Sequence, residues 1–334
     1  MGAWRFSNFL PDTSFGIEMP AVSATAPGKV ILFGEHAVVY GQPAIAVPVQ
    51  QVRAKVTINA DPMAARGNIE IDAPDIRLKK PLDELASDHP FVLLFDQLKM
   101  TYGVTLFPAM RLRIKSTIPI ASGLGSGTAV SVAIIRAVST FVGNPLSLEQ
   151  ISAIAFEIEK KYHGTPSGID NTVVTYAQPV YFIRQEPIEV LPVLEDFTLV
   201  IADSGMRSKT SIAVGHVREK WEHERQQVED IFNAIGEISH QARNIIRSED
   251  PQELGSLMNE NHALLVKLGV SNPRLDDLVA QAIQSGAAGA KLSGAGEGGN
   301  VIALVKPEIA QAVAESLQKV GAVRTIITTI TKTK

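Results

Sequence analysis

One stretch of this chain, Pro119-Ile120-Ala121-Ser122-Gly123-Leu124-Gly125-Ser126-Gly127-Thr128, restricts what it can fold into more than any other. It lies between a strand-like segment, Met110 to Lys115, and an apolar helical segment, Ala129 to Val142. A glycine-rich turn from strand to helix presents unpaired backbone N–H groups at the positive end of a helix dipole. Glycine lets the backbone close on a ligand, so a turn of this kind suits phosphate. Ser126 and Thr128 add hydroxyls that can reach a phosphate or its metal. A tight connection with no ligand fits the same residues, and other parts of the chain must decide.

Two familiar phosphate signatures are excluded. A Walker A loop needs Lys directly after its last glycine, and Gly127 is followed by Thr128. A dinucleotide fingerprint needs glycine where Thr128 stands. A formal GxGxxG does occur at Gly294, Gly296 and Gly299, but a strand-like run, Asn300 to Val305, follows it instead of a helix. That argues against a nicotinamide cofactor.

At 334 residues the chain is long for one core, so two domains are expected. Hydrophobic residues make up 45% and charged residues 20%, the balance of a soluble globular protein. A formal net charge of −4 gives no electrostatic reason to expect nucleic acid or an anionic membrane surface. With no cysteine, disulfides, thiolate metal sites and a cysteine nucleophile are excluded, and a cytoplasmic setting is expected. No apolar run approaches the ~20 residues of a membrane span. Residues 1–18 lack the order of a signal peptide and read as a flexible leader, so the working chain is expected to begin near Met19.

Periodicity predicts strands at Ala44–Val49, Arg53–Ala60, Arg111–Lys115, Val173–Tyr176, Val180–Ile183, Thr198–Ala202, Val301–Val305 and Thr325–Thr329. Helices are predicted at Phe91–Tyr102, Ala129–Val142, Ser147–Lys161, Ser211–Arg247, Pro251–Lys267, Pro273–Ser285 and Pro307–Val320. Pro187 and Pro192 interrupt the pattern, which places a domain boundary between Gln185 and Phe197 and divides the chain into 19–190 and 191–334. The closing strand–helix–strand after long helices suggests an α+β second domain behind a mixed α/β first one.

Four clusters carry candidate chemistry. Besides the glycine turn, Ala26 to His36 places Lys29 inside an apolar, strand-like run, where a lysine demands an acidic partner or an anionic ligand. Glu35 and His36 close that run. The segment His163-Gly164-Thr165-Pro166-Ser167-Gly168-Ile169-Asp170-Asn171 holds Asp170, either an ordinary turn residue or, beside a lysine, a base for a hydroxyl proton. Glu159, on the preceding helix, either holds Mg²⁺ beside phosphate or pairs with neighbouring lysines on a solvated face. The segment Lys291 to Gly299 is a glycine-dense turn that brings backbone close to a neighbouring domain or a phosphate tail. His216, Glu219 and His223 share a helical segment, but Arg218 and Lys220 between them mark a solvated face and not a metal site.

In this order the clusters resemble the GHMP kinase family. The resemblance runs from about Ala24 to the end through APGKVILFGEHAVVYGQPAIA, PIASGLGSG, HGTPSGIDN, Asp203 to Thr210, Leu257 to Leu278 and KLSGAGEGG. It implies a ribosomal-S5-like first domain and a ferredoxin-like α+β second domain, in a chain that forms a homodimer in the cytoplasm. The implied reaction is ATP-dependent phosphorylation of a small alcohol, and the HAVVYG ending points to the 5-hydroxyl of mevalonate. Carried onto this sequence, Asp170 is the expected base and Lys29 its partner. Ser116 and the run Ser122, Gly123, Leu124, Gly125, Ser126, Gly127 and Thr128 are expected to hold ATP. Glu159 and Ser126 are expected at Mg²⁺, and Glu35, His36 and Thr210 around mevalonate.

Two departures stand out. Where many relatives carry a second serine, this chain has Gly127, so Ser126, Thr128 or water must take its place. Glu297 replaces a glycine of the last motif, and its carboxylate would repel phosphates unless turned to solvent or to a cation. Alternatives that keep the fold are a sister kinase acting on phosphomevalonate or another hydroxyl of mevalonate, and a non-catalytic metabolite sensor.

Overall fold

A computed structural model describes residues 21–120, 122–163, 166–207 and 210–333, so the leader expected at 1–18 lies outside the described residues. The first half lays down β1 (Val22–Phe33), β2 (Ala44–Ala60), β3 (Ile69–Ala73), β4 (Leu78–Pro81), α1 (Pro90–Tyr102) and β5 (Met110–Ser116). It continues with α2 (Ser126–Phe141), α3 (Leu148–His163), α4 (Ile169–Tyr176), β6 (Val180–Phe182) and β7 (Glu189–Val190). In β5, Met110, Leu112 and Ile114 are buried while Arg111, Arg113 and Lys115 are exposed, the period-two pattern of a strand with one wet face. These strands form one sheet in the order β4-β3-β5-β2-β6-β7, with β1 also paired to β2.

The second half contributes β8 (Phe197–Asp203), α5 (Thr210–His223), α6 (Arg225–Ile246), α7 (Leu254–Leu268), α8 (Pro273–Gln284), β9 (Gly289–Ser293), β10 (Asn300–Val305), α9 (Ala310–Lys319) and β11 (Arg324–Ile330). Its sheet runs β11-β8-β10-β9, all antiparallel. In chain order that places the fourth strand beside the first, then the third and the second, the ferredoxin-like arrangement expected from the resemblance.

Strand β8 alternates between two cores. Phe197, Leu199 and Ile201 join a large apolar cluster shared with the first half, whereas Val200 and Ala202 join a second one with residues of α8 and α9. β10 divides in the same way, Ile302 and Leu304 to one side and Val301, Ala303 and Val305 to the other. A sheet buried on both faces explains why these strands read as continuous apolar runs.

Three expectations need correction. The segment Val173–Tyr176, predicted as a strand from its β-branched residues, is the body of helix α4. Gly168, at φ 92°, starts this helix, and packing on α2 and α3 overrides the weak preference of Thr and Val. Thr172 settles its hydroxyl by donating to the Gly168 carbonyl one turn back, at 2.7 Å. The single helix predicted over Ser211–Arg247 is two, broken at Glu224 between α5 and α6. Helix α2 begins at Ser126, three residues before the predicted Ala129, so Ser126, Gly127 and Thr128 form its first turn.

Glycine has a packing role where α7 crosses β9. A Cβ on Gly289 would sit 1.9 Å from the Gly255 carbonyl oxygen, so neither backbone can give way. We expect Gly289→Ala to lower the unfolding free energy by about 3 kcal/mol, the upper end for overpacking, in urea titration. Gly215→Ala, on α5 with nothing within 4 Å of the new methyl, is the control and should stabilise by about 0.5–1 kcal/mol.

Candidate active site

Lys29 lies on β1 between two register shifts against β2, one at Pro27/Gly28 and one between Ile31 and Phe33. Such irregularities bend a strand and re-aim its side chains. The Lys29 side chain, 6% exposed, ends 2.9 Å from the Oδ1 of Asp170, which is 30% exposed. Asp170 stands in the first turn of α4, where the helix dipole favours a carboxylate. That helix is fixed from three sides. Asn171 donates to the Ser152 hydroxyl at 2.8 Å, Arg136 of α2 donates to the Thr175 carbonyl, and the same Arg136 reaches the Thr25 carbonyl of β1 at 2.7 Å. Lys29 and Asp170, 141 positions apart, therefore meet through rigid elements.

The glycine turn docks on the same strand. The Lys29 backbone N–H donates to the Leu124 carbonyl at 3.1 Å, and Leu124 itself is buried. Gly125, at φ 72°, caps α2 without a side chain, and a Cβ there would press on Lys29 Cγ at 3.0 Å. Ser122 is turned inward, donating to the Pro119 carbonyl at 2.9 Å. Gly123 and Gly127 are exposed and Ser126 half-buried, so the outward surface of the turn is mostly backbone. Ser116 sits at the end of β5, with its N–H held by Asp75 Oδ2 at 2.6 Å and its hydroxyl accepting from the Ile118 N–H.

The structure brings Thr128 and Glu159 together, and the Thr128 hydroxyl donates to Glu159 Oε1. Burial and, second, the negative charge of Asp170 push the Glu159 carboxyl up to about 8. The Thr128 hydrogen bond and Lys29 pull the other way. Two carboxylates, one lysine and a hydroxyl thus face one small volume at the N-termini of α2 and α4. A cation entering there would relieve the repulsion that raises Glu159.

Glu35 and His36 lie at the end of β1, under the second sheet. Glu35 accepts from Lys291 Nζ, and both side chains are 0% exposed. Burial pushes the Glu35 carboxyl up and the Lys291 ammonium down, each opposed chiefly by the other. His36 has φ 59° and ψ −49°, a backbone geometry that costs a residue with a side chain about 1–3 kcal/mol. Its Nε2 lies 2.9 Å from the Ala295 carbonyl, which can only accept, so Nε2 carries the proton and Nδ1 becomes an acceptor. Burial lowers the His36 pKa and keeps the ring neutral. Thr210 opens α5 and is exposed.

Glu297, the departure in the last motif, is turned to His216, a cation when protonated. Its Oε1 lies 2.6 Å from His216 Nδ1 on α5, which ties that helix to the Gly294–Gly299 turn. The hydrogen bond and then the charge of Glu297 raise the His216 pKa. The contact therefore contributes stability below the ordinary histidine value near 6.5 and loses it as pH rises through the raised value. NMR titration should show His216 ionising above 6.5 in the wild type and returning toward 6.5 in Glu297→Gln. Among the described residues, no group of three or more His, Cys, Asp or Glu side chains is placed to hold a metal ion.

Residues 91–178 match the GHMP kinases N-terminal domain and residues 242–323 the GHMP kinases C-terminal domain. The chain is 38% identical to a mevalonate kinase of Pyrococcus horikoshii over 308 residues, covering 85% of this chain and 88% of that one. This protein is a member of the GHMP kinase family. The same GHMP kinase is 35% identical to a mevalonate kinase of Thermococcus sibiricus, with 90% and 93% of the two chains covered. It superposes on the crystal structure of L. major mevalonate kinase in complex with R-mevalonate with TM-score 0.81 at 28% identity, covering 93% and 96% of the chains.

Two residues of this GHMP kinase site escaped the sequence reading. Asn300 donates its side-chain amide to the Ser122 carbonyl, clamping the glycine turn from the second sheet. Lys291, at the start of the glycine-dense segment, is the other. The signal for it was the one that singled out Lys29, a lysine in a strand with no wet face.

Proposed function

We infer that this kinase transfers the γ-phosphoryl group of ATP to the 5-hydroxyl of mevalonate. The observation that carries the reading is the Lys29–Asp170 pair beside the Gly123–Ser126 turn. Support for mevalonate as the alcohol comes from the similarity, over most of the chain, to enzymes of that name. Phosphoryl transfer asks the protein mainly for positioning and charge neutralisation. Asp170 accepts the proton of the 5-hydroxyl as that oxygen attacks the γ-phosphorus and the bond to the β-phosphate oxygen breaks. Lys29 orients Asp170 and steadies charge on the transferring group. The backbone N–H groups of the turn and the α2 dipole hold the phosphates. His36 Nδ1 accepts from the substrate, and Glu35 and Thr210 border the same pocket.

The donor set suits Mg²⁺, because Glu159, Ser126 and Thr128 offer only hard oxygens. Mg²⁺ keeps several waters and needs few protein ligands, so a site without a dedicated cage fits it. When bound, it supplies charge neutralisation at the β- and γ-phosphates. Thr128, already on Glu159, takes the place of the serine missing at Gly127. The same reading carries ATP at Ser116 and the turn, a division near residue 190, a homodimer and a cytoplasmic setting. Among the described residues no helix is long and apolar enough to cross a membrane.

The test is ADP release with Mg·ATP and a panel of mevalonate, 5-phosphomevalonate, homoserine and galactose. Turnover of mevalonate alone is expected. Turnover of 5-phosphomevalonate instead would move the reading to the sister kinase, and silence across the panel would leave a sensor.

A further inference from the structure

We propose that Lys291 is a positioning residue for the alcohol substrate, holding Glu35 and with it the Gly34–Glu35–His36 corner against β9. The proposal rests on the reading of that corner as the mevalonate side of the site.

Three alternate positions along β9 and just beyond it point at the end of β1. Lys291 Nζ donates to Glu35 Oε1, and to the Leu292 carbonyl at 2.8 Å. Ser293 exchanges two hydrogen bonds with Ile31, accepting from its N–H at 3.1 Å and donating to its carbonyl at 2.7 Å. The Ala295 carbonyl takes the His36 ring at 2.9 Å. Successive residues of a strand face opposite ways, so Lys291 and Ser293 share one face of β9, and the Ala295 carbonyl follows in the turn beyond Gly294. Lys291 and Ser293 belong to the second sheet, while Ile31 belongs to the first and Glu35 and His36 follow directly on its strand β1.

Neutralising charge does not explain the pair. Two fully buried ionic side chains are no better for stability than apolar ones of like volume. What the pair adds is direction: a carboxylate gripped at one oxygen cannot swing, and its backbone sits between Gly34 at φ 95° and His36 at φ 59°. Gly34 adopts its φ freely, but the His36 conformation relaxes unless the surroundings enforce it. The second carboxylate oxygen, Oε2, is buried with no hydrogen-bond partner among the described residues, so Lys291 is the one side chain that grips the carboxylate. Glu35 is therefore held for geometry, and the His36 ring that follows is aimed as a result.

The decisive variant is Glu35→Gln with Lys291→Met, which leaves no stranded buried charge. Steady-state kinetics in both substrates are read beside thermal unfolding. The proposal expects unfolding near that of the wild type, KM for mevalonate raised about tenfold or more, and KM for ATP within about twofold. Wild-type KM for mevalonate in that folded variant would overturn it, because the pair would then only fill space. If the double variant does not fold, Lys291→Met alone decides, since burial already pushes the Glu35 carboxyl up and favours its neutral form. KM for mevalonate raised about tenfold or more with KM for ATP within about twofold is then expected, and wild-type KM for mevalonate in that folded variant would overturn the proposal. Failure of the wild type to use mevalonate would overturn the functional reading itself and is seen before any variant is made.

Discussion

Asp170→Asn should lower kcat by about 10²–10⁴-fold while leaving the affinity for ATP within about twofold, measured by steady-state kinetics and by calorimetric binding of a non-hydrolysable ATP analogue. The range is that of a positioned base working in the transition state. Asparagine keeps the shape of the side chain and an oxygen for Lys29 at 2.9 Å, but it cannot take a proton. Because the lost interaction belongs to the transition state, kcat and kcat/KM for mevalonate should fall together. Asp170 is partly exposed and its neighbourhood already carries Glu159, so the variant should fold. Turnover near that of the wild type would place the base elsewhere and leave Asp170 as an anchor for Lys29.

Lys29→Met is expected to lower kcat by about 10²–10³-fold, the usual cost of removing one preorganised charge from a developing anion. Methionine fills the volume of the lysine stem under Gly125, whose Cα–Cβ direction is occupied by Lys29 Cγ. The loss should therefore be one of charge and not of packing. Without the cation, Asp170 and Glu159 are left facing each other, and the Glu159 carboxyl, already pushed up to about 8, loses one of the influences that lower it. Circular dichroism and thermal unfolding separate the two readings. A variant that unfolds at low temperature but retains its kcat would make Lys29 a structural residue.

Much of this site was legible in the sequence because its signals are local. A lysine inside an apolar strand, a glycine turn ahead of an apolar helix and an acid after a Pro/Gly-rich loop each declare an unusual demand on their own neighbourhood. Helix α4 was misread for an equally local reason. Thr172, Val173, Val174 and Thr175 favour a strand in isolation, and only the helices packed around them decide otherwise. The role of Lys291 was not legible at all. Its partner Glu35 lies 256 positions earlier, and periodicity within one segment carries no information about which distant strand end faces it. Glu297 stood between the two cases. Its charge could be seen to need a cation, but only the fold showed that His216 supplies it.

The central claim is that Asp170 and Lys29 act on the primary hydroxyl of mevalonate, and phosphorus NMR of the product with proton coupling retained tests it most directly. A phosphate on C5 is split into a triplet by the two protons of its CH₂ carbon, whereas a phosphate on the tertiary C3 oxygen has no proton three bonds away and gives a singlet. A triplet that appears with the wild type and fails to accumulate with Asp170→Asn is the result expected here. A singlet, or a triplet formed at the wild-type rate by Asp170→Asn, would contradict it.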